Sequence, residues 1–135
     1  MKLCNETITV FNKRMDEDTG YDRYYPTVIT GASWFCEISS NVDETGLLAA
    51  NMFTIRIPID ADFSGKSYVL PVDYPDSDPT NTFTLGNGDI IVKGAVTTPG
   101  LKPSDLQEMF GEIVTILGVT DNRRARAKHW KVVGR

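Results

Sequence analysis

A chain of 135 residues with 41% hydrophobic side chains can bury roughly 68% of its unfolded surface around one core, so a single self-folding domain over 1–135 is expected. Fourteen bases against eighteen acids leave a net charge of −4, a field that repels phosphate at long range. The longest apolar run, Ile113 to Val119, is broken by Thr115 and Gly118 and falls far short of the ~20 residues that span a bilayer, so no membrane association is expected.

In chain order, MKLCNETITV lacks the apolar segment of ~7 to 15 residues that export by a signal peptide requires. Cys4 and Cys36 are too few for a disulfide scaffold and too far apart for a CxxC pair, so free thiols in a reducing cytosol are expected. If the first two strands pair as a hairpin, Cys4 would stand nearly opposite Cys36. The first strand is read at Glu6 to Asn12 (ETITVFN), and MDEDTGYD (Met15 to Asp22) has the Asp/Gly composition of a connection. A second strand follows at Thr27 to Ile38, with Gly31 marking a bulge or bend. Glu44 to Asn51 (ETGLLAAN) reads as a weaker helical turn.

The clearest strand is Phe53-Thr54-Ile55-Arg56-Ile57-Pro58-Ile59, apolar on one face and polar on the other. Asp60 to Asp89 then carries Pro71, Pro75 and Pro79 and six aspartates against one base, Lys66. A central strand is excluded there, and a long acidic loop is predicted. Within it Ser67 to Leu70 can pair as an edge strand. Leu85 to Asp89 (LGNGD) is a turn leading to a strand at Ile90 to Val96, with Gly94 as a second bend.

One helix is expected, at 104–110. Ser104-Asp105-Leu106-Gln107 fits a capping box behind Pro103, and Gly111 fits the left-handed stop. A basic hairpin at 112–135 closes the chain, with strands at Glu112 to Val119 and His129 to Val133. The fold class is therefore mainly β: a small barrel or sandwich of at least six strands, one short α-helix and a long acidic loop. Trp34 and Trp130 sit in alternating patterns that suit core packing, with interface anchoring as the alternative.

Reactive chemistry is poorly supplied. His129 is the sole imidazole, beside a tryptophan in a strand, where a structural role is expected rather than that of a base. DYPDSDPTN lacks the central glycine and terminal glutamate of a calcium loop. Neither GxGxxG nor GxxxxGK[ST] occurs, and Gly86-Asn87-Gly88 precedes a strand where a phosphate loop would follow one. No catalytic residue, metal, cofactor or small-molecule substrate is expected, and the chain is read as not an enzyme.

Charge is unevenly placed. Lys102 to Arg135 holds seven bases and four acids, whereas the preceding residues hold seven bases and fourteen acids. The acids Asp73, Asp76 and Asp78 and the cations Arg123, Arg124, Arg126 and Lys128 are candidate interface residues, the loop of one copy meeting the basic end of the next. The alternative is a nucleic-acid contact through Arg123, Arg124, Arg126 and Lys128.

Taken together, ETITVFN, TVITGASWF, GLLAANMFTIRIP, GDIIVKGAV, VTILGVTDNRRA and HWKVVG resemble a family of small structural proteins of tailed phages and prophages of Gram-positive bacteria. The resemblance covers nearly the whole chain and rests on strands and turns. It implies a minor capsid or head-tail connector protein of stopper or head-closure type: a small β-barrel that assembles as a ring with copies of itself. Portal or adaptor and tail proteins would be its partners, with packaged DNA in the channel. Localisation would be the virion, and the host cytoplasm during assembly.

Overall fold

The computed structural model describes residues 5–16, 18–43, 46–98, 101–110, 113–124, 126 and 128–135, with the backbone alone over the described part of 36–51. The strands are β1 (Glu6–Met15), β2 (Asp22–Asp43), β3 (Gly46–Pro58), β4 (Ser67–Tyr68), β5 (Thr82–Phe83), β6 (Ile90–Lys93), β7 (Val114–Asn122) and β8 (His129–Gly134). A 3-10 turn at Tyr74–Asp76 and one helix, α1 (Pro103–Phe110), complete the described elements.

The chain is thus mainly β, with six strands in one antiparallel sheet. Their order is β1-β2-β3-β8-β7-β6, and β6 pairs back onto β1, so the sheet closes on itself. The short strands β4 and β5 form a separate parallel pair. Closure removes free edges where every strand is paired on both sides.

Closing so few strands requires sharp bending, and β2 supplies much of it. Its first half pairs with β1 up to Ala32, and its second half pairs with β3 from Ser33 onward. Gly31 lies at the changeover, skipped by the register between Thr7↔Thr30 and Glu6↔Ala32. Its φ of 100° is open to a residue without Cβ and strained for others. Gly94 does not bend a strand from within as expected: β6 ends at Lys93, one residue earlier.

Two clusters divide the core. Ile8, Val10, Ile29, Ile55, Ile57, Ile91, Val114, Ile116, Trp130 and Val132 share the larger one. Phe11, Ile90, Val92, Val96 and Leu106 form the smaller. β1 and β6 therefore bury both faces, Val10 and Ile91 to the large cluster and Phe11 and Val92 to the one that includes the helix. Trp130 is a core side chain, and Trp34 is half-buried with its ring edge-on to Phe53, 5.4 Å between centroids.

Several expectations are corrected. The helical turn expected over Glu44 to Asn51 is replaced from Gly46 on by β3, whose register with β2 runs without a break from Asp43↔Gly46 to Ser33↔Arg56. Pairing of two long strands outweighs the local preference of Leu and Ala for helix. The capping box is displaced as well. Pro103 occupies the first helical position, and the Lys102 amide donates to Asp105 Oδ2 at 3.0 Å, so the acid reaches back to Lys102 rather than Gln107 to Ser104. The expected stop at Gly111 lies outside the described residues, as do Cys4 and the side chain of Cys36, and with them the disulfide question.

The acidic stretch from Asp60 to Asp89 is not a free loop. Phe63, Tyr68, Phe83 and Leu85 join the large core cluster. Asp62 and Thr30 exchange backbone hydrogen bonds of 2.9 and 3.0 Å. Lys66 Nζ donates to Pro26 O at 2.8 Å and Thr27 Oγ1 at 2.9 Å, in surroundings whose burial holds its pKa below the ordinary lysine value. Arg14 Nη1 donates to Ser77 O at 2.6 Å, with its guanidinium over the buried Tyr74 ring.

The far end of the stretch is fastened by Asp89. Its buried carboxylate accepts from Lys13 N at 2.9 Å, Asn12 Nδ2 at 2.9 Å and Gly86 N at 3.0 Å. Asn12, itself fully buried, also donates to Thr84 O at 2.6 Å and accepts from Thr84 N at 3.2 Å. The prolines and most of the aspartates lie in or next to turns, while the aromatics between them need a core.

Candidate functional site

The most cationic described feature is the connection between β7 and β8. These strands pair from Ile116↔Gly134 to Asn122↔His129, so Arg123, Arg124, Arg126 and Lys128 lie at one end of a hairpin. Asp121 organises the start of the turn: its Oδ1 accepts from the Arg123 backbone amide at 3.0 Å, the local carboxylate turn that Asp favours.

The Arg123 side chain then folds back. Its Nε is 2.9 and 2.8 Å from the two Asp121 oxygens, and Nη2 lies 2.6 Å from Oδ2. The guanidinium is also 5.5 Å from the ring centroids of both Tyr68 and Trp130, which are themselves 4.6 Å apart. Hydrogen bonds from Arg123 hold the Asp121 carboxyl below the usual aspartate range, and that carboxylate in turn raises Arg123. Burial pushes the Tyr68 phenol up, against the opposing influence of Arg123.

Arg123 is accordingly a clamp between the turn and β4, not an available cation. Arg124, Arg126 and Lys128 differ: all three are exposed, and none has a side-chain hydrogen bond or ion pair among the described residues. Arg124 does help to lower Asp121. The Lys128 carbonyl accepts from Ile59 N at 3.1 Å, tying the turn to the residue just beyond β3. His129 is paired across the hairpin and close to Asn122, with 3.3 Å between Asn122 Nδ2 and His129 Nε2.

The acidic candidates separate in the same way. Asp78 is committed internally: its carboxylate accepts from Thr80 N at 2.9 Å and Asn81 Nδ2 at 2.8 Å, and these bonds lower its pKa. Asp73 precedes the 3-10 turn and Asp76 ends it, both exposed and without side-chain partners among the described residues. No ion pair joins them to Arg124, Arg126 or Lys128 among the described residues.

Sequence reasoning missed Asp121, Tyr68 and Arg14 as the residues that hold these charged segments. A signal for the first was present in Asp121-x-Arg123, the spacing of a side-chain-closed turn. Nothing local pointed to Tyr68, which reaches Arg123 only through the folding of the acidic stretch. Among the described residues there is no group of three His, Cys, Asp or Glu side chains that could hold a metal ion, and no helix is long and apolar enough to cross a membrane.

Fold and site together define a mainly β protein whose closed antiparallel sheet carries a clamped cationic turn. The chain belongs to a family of unknown function, DUF6751, whose model matches residues 3–135. No curated protein and no solved structure gives a match.

Proposed function

We propose that this chain is a non-enzymatic structural protein of a phage head–tail junction, a small β-barrel of the minor capsid or head–tail connector kind. It would assemble through contacts with copies of itself and with portal, adaptor or tail proteins. The virion setting is supported by the resemblance of the six segments quoted above.

The observation that carries the docking role is the cationic turn. Arg124, Arg126 and Lys128 are exposed without intrachain side-chain partners among the described residues, while the clamp at Arg123 holds the start of the same turn. A turn held in place loses less entropy when a partner's carboxylates arrive. The test is incorporation: mass spectrometry of purified particles should find the wild-type chain, and co-purification should retain a portal or tail protein. Folded Arg124→Glu/Arg126→Glu/Lys128→Glu should lose both. Particles that lack the wild-type chain would refute the proposal.

The same three cations are what would favour the second reading, a nucleic-acid-contacting module. Duplex binding through all three would give a salt slope of about −2.7, at about −0.9 for each phosphate neutralised. The structural reading expects no appreciable affinity of the isolated chain for duplex.

A further inference from the structure

The hairpin of β2 and β3 is longer than the sheet that contains it. β8 flanks β3 only from Phe53↔Gly134 to Pro58↔His129, and β1 flanks β2 only up to Ala32. Seven further pairs, from Glu37↔Met52 to Asp43↔Gly46, continue with no third strand beside them among the described residues. At ~3.3 Å per residue this arm extends roughly 20 Å past the last pair with β8.

Such an extension needs something against it. A lone two-stranded hairpin is marginal in water, and its outer edges present unpaired backbone donors and acceptors. Edges meant to stay free are usually interrupted by proline or lysine. Gly46 to Met52 (GLLAANM) has neither, and no charge at all. At the root of the arm Phe35 is 56% exposed, an aromatic placed as interface aromatics commonly are.

Charge says which partner fits. From Cys36 to Met52 the sequence carries Glu37, Asp43 and Glu44 and no Lys, Arg or His. The cationic turn lies at the opposite end of β3, where Pro58 pairs with His129 and Ile59 N bonds Lys128 O. Over the 13 residues of β3 the two ends are about 40 Å apart. A two-fold contact of arm with arm would set acid against acid, and turn with turn would set base against base. Arm on turn satisfies both, either as a reciprocal two-fold pair or as a head-to-tail contact that closes a ring or propagates as a filament.

We infer that the acidic β2–β3 arm of one copy docks on the cationic turn of the next. This rests on the reading of the chain as a self-assembling protein and replaces the acidic stretch at 60–89 as the complement of the basic end. That stretch is fastened to its own body, and Asp78 is already engaged.

Sedimentation of the full chain at low and high salt tests it. Wild type should self-associate at low salt and dissociate as salt rises. Glu37→Lys/Asp43→Lys and Arg124→Glu/Arg126→Glu/Lys128→Glu should each associate more than about tenfold more weakly, because like charges then face each other. Circular dichroism should show each variant folded. Mixing the two charge-reversed chains should restore assembly in strict alternation, since each then offers what the other lacks. Asp73→Lys/Asp76→Lys should leave association unchanged.

A wild-type chain that is monomeric at low salt, a mixture that fails to reassemble, or dissolution by the Asp73/Asp76 change alone would each overturn the arm assignment. Particles that lack the chain, together with arm-dependent association in solution, would refute the virion setting and leave the arm standing. Particles that still incorporate the arm-reversed chain would do the opposite.

Discussion

Asp89→Asn tests how the acidic stretch is fastened, because it keeps the volume and removes the charge. The buried carboxylate accepts from three donors, the amides of Lys13 and Gly86 and Asn12 Nδ2. An amide in its place can accept through one atom only and turns an NH2 group toward a donor. Leaving one buried donor unmade costs about 1–3 kcal/mol. Against this, the substitution relieves a buried charge: burial pushes the Asp89 pKa up, the three hydrogen bonds pulling the other way.

A group whose pKa is raised on folding stabilises most when protonated, so its contribution is complete below the unfolded value of about 3.9 and is lost as pH rises through the folded one. Urea unfolding at a series of pH values from about 3 to 7 should therefore show Asp89→Asn at its most damaging in acid. The deficit should shrink as pH rises, by about 1.4 kcal/mol for each pKa unit of upward displacement. A deficit that grows with pH would refute the reasoning, since the folded state would then favour the carboxylate.

Three further outcomes are expected. Arg123→Ala removes an exposed ion pair worth ~0–1 kcal/mol and two ring contacts of ~0.5–1 kcal/mol each. Thermal unfolding should register a loss of about 1–3 kcal/mol, with a change in Trp130 fluorescence, and Arg123→Lys should recover only part of it because the fork to Asp121 is lost. Leu106→Ala, at a fully buried position against Phe11, Ile90, Val92 and Val96, should cost about 2–5 kcal/mol in denaturant unfolding. Gly134→Ala should cost about 1–3 kcal/mol by overpacking, because a Cβ there would run into the Thr115 carbonyl and Val114 Cγ1 across β7; wild-type stability for this variant would show that β8 can move away.

Much of the sheet was legible because strand alternation and turn residues act locally. Phe53, Ile55 and Ile57 announce their buried face by period alone, although Ile59 lies past the end of β3 and is exposed, and Pro103 announces a helix start by its fixed φ. The charge asymmetry was equally plain in composition. Yet composition misled at Asp60 to Asp89: its prolines and aspartates suggested solvent, while Phe63, Tyr68 and Phe83 were claimed by a core built from strands distant in sequence. ETGLLAAN misled for a related reason, since the partner that makes Gly46 to Asn51 a strand is β2.

The sequence by itself determined the mainly β composition of the fold, the positions of most strands and the concentration of cations near the C-terminus, because periodicity, turn chemistry and charge are properties of neighbouring residues. Only the tertiary structure decided that Arg123 is consumed by Asp121, Tyr68 and Trp130 while Arg124, Arg126 and Lys128 remain exposed. It also decided that, among the described residues, the β2–β3 pairing runs on past its last neighbour in β8, while the acidic stretch is fastened to the core. Both depend on which strands close the sheet and where their pairing ends, and hydrogen-bonded partners far apart along the chain leave no mark in any one local stretch.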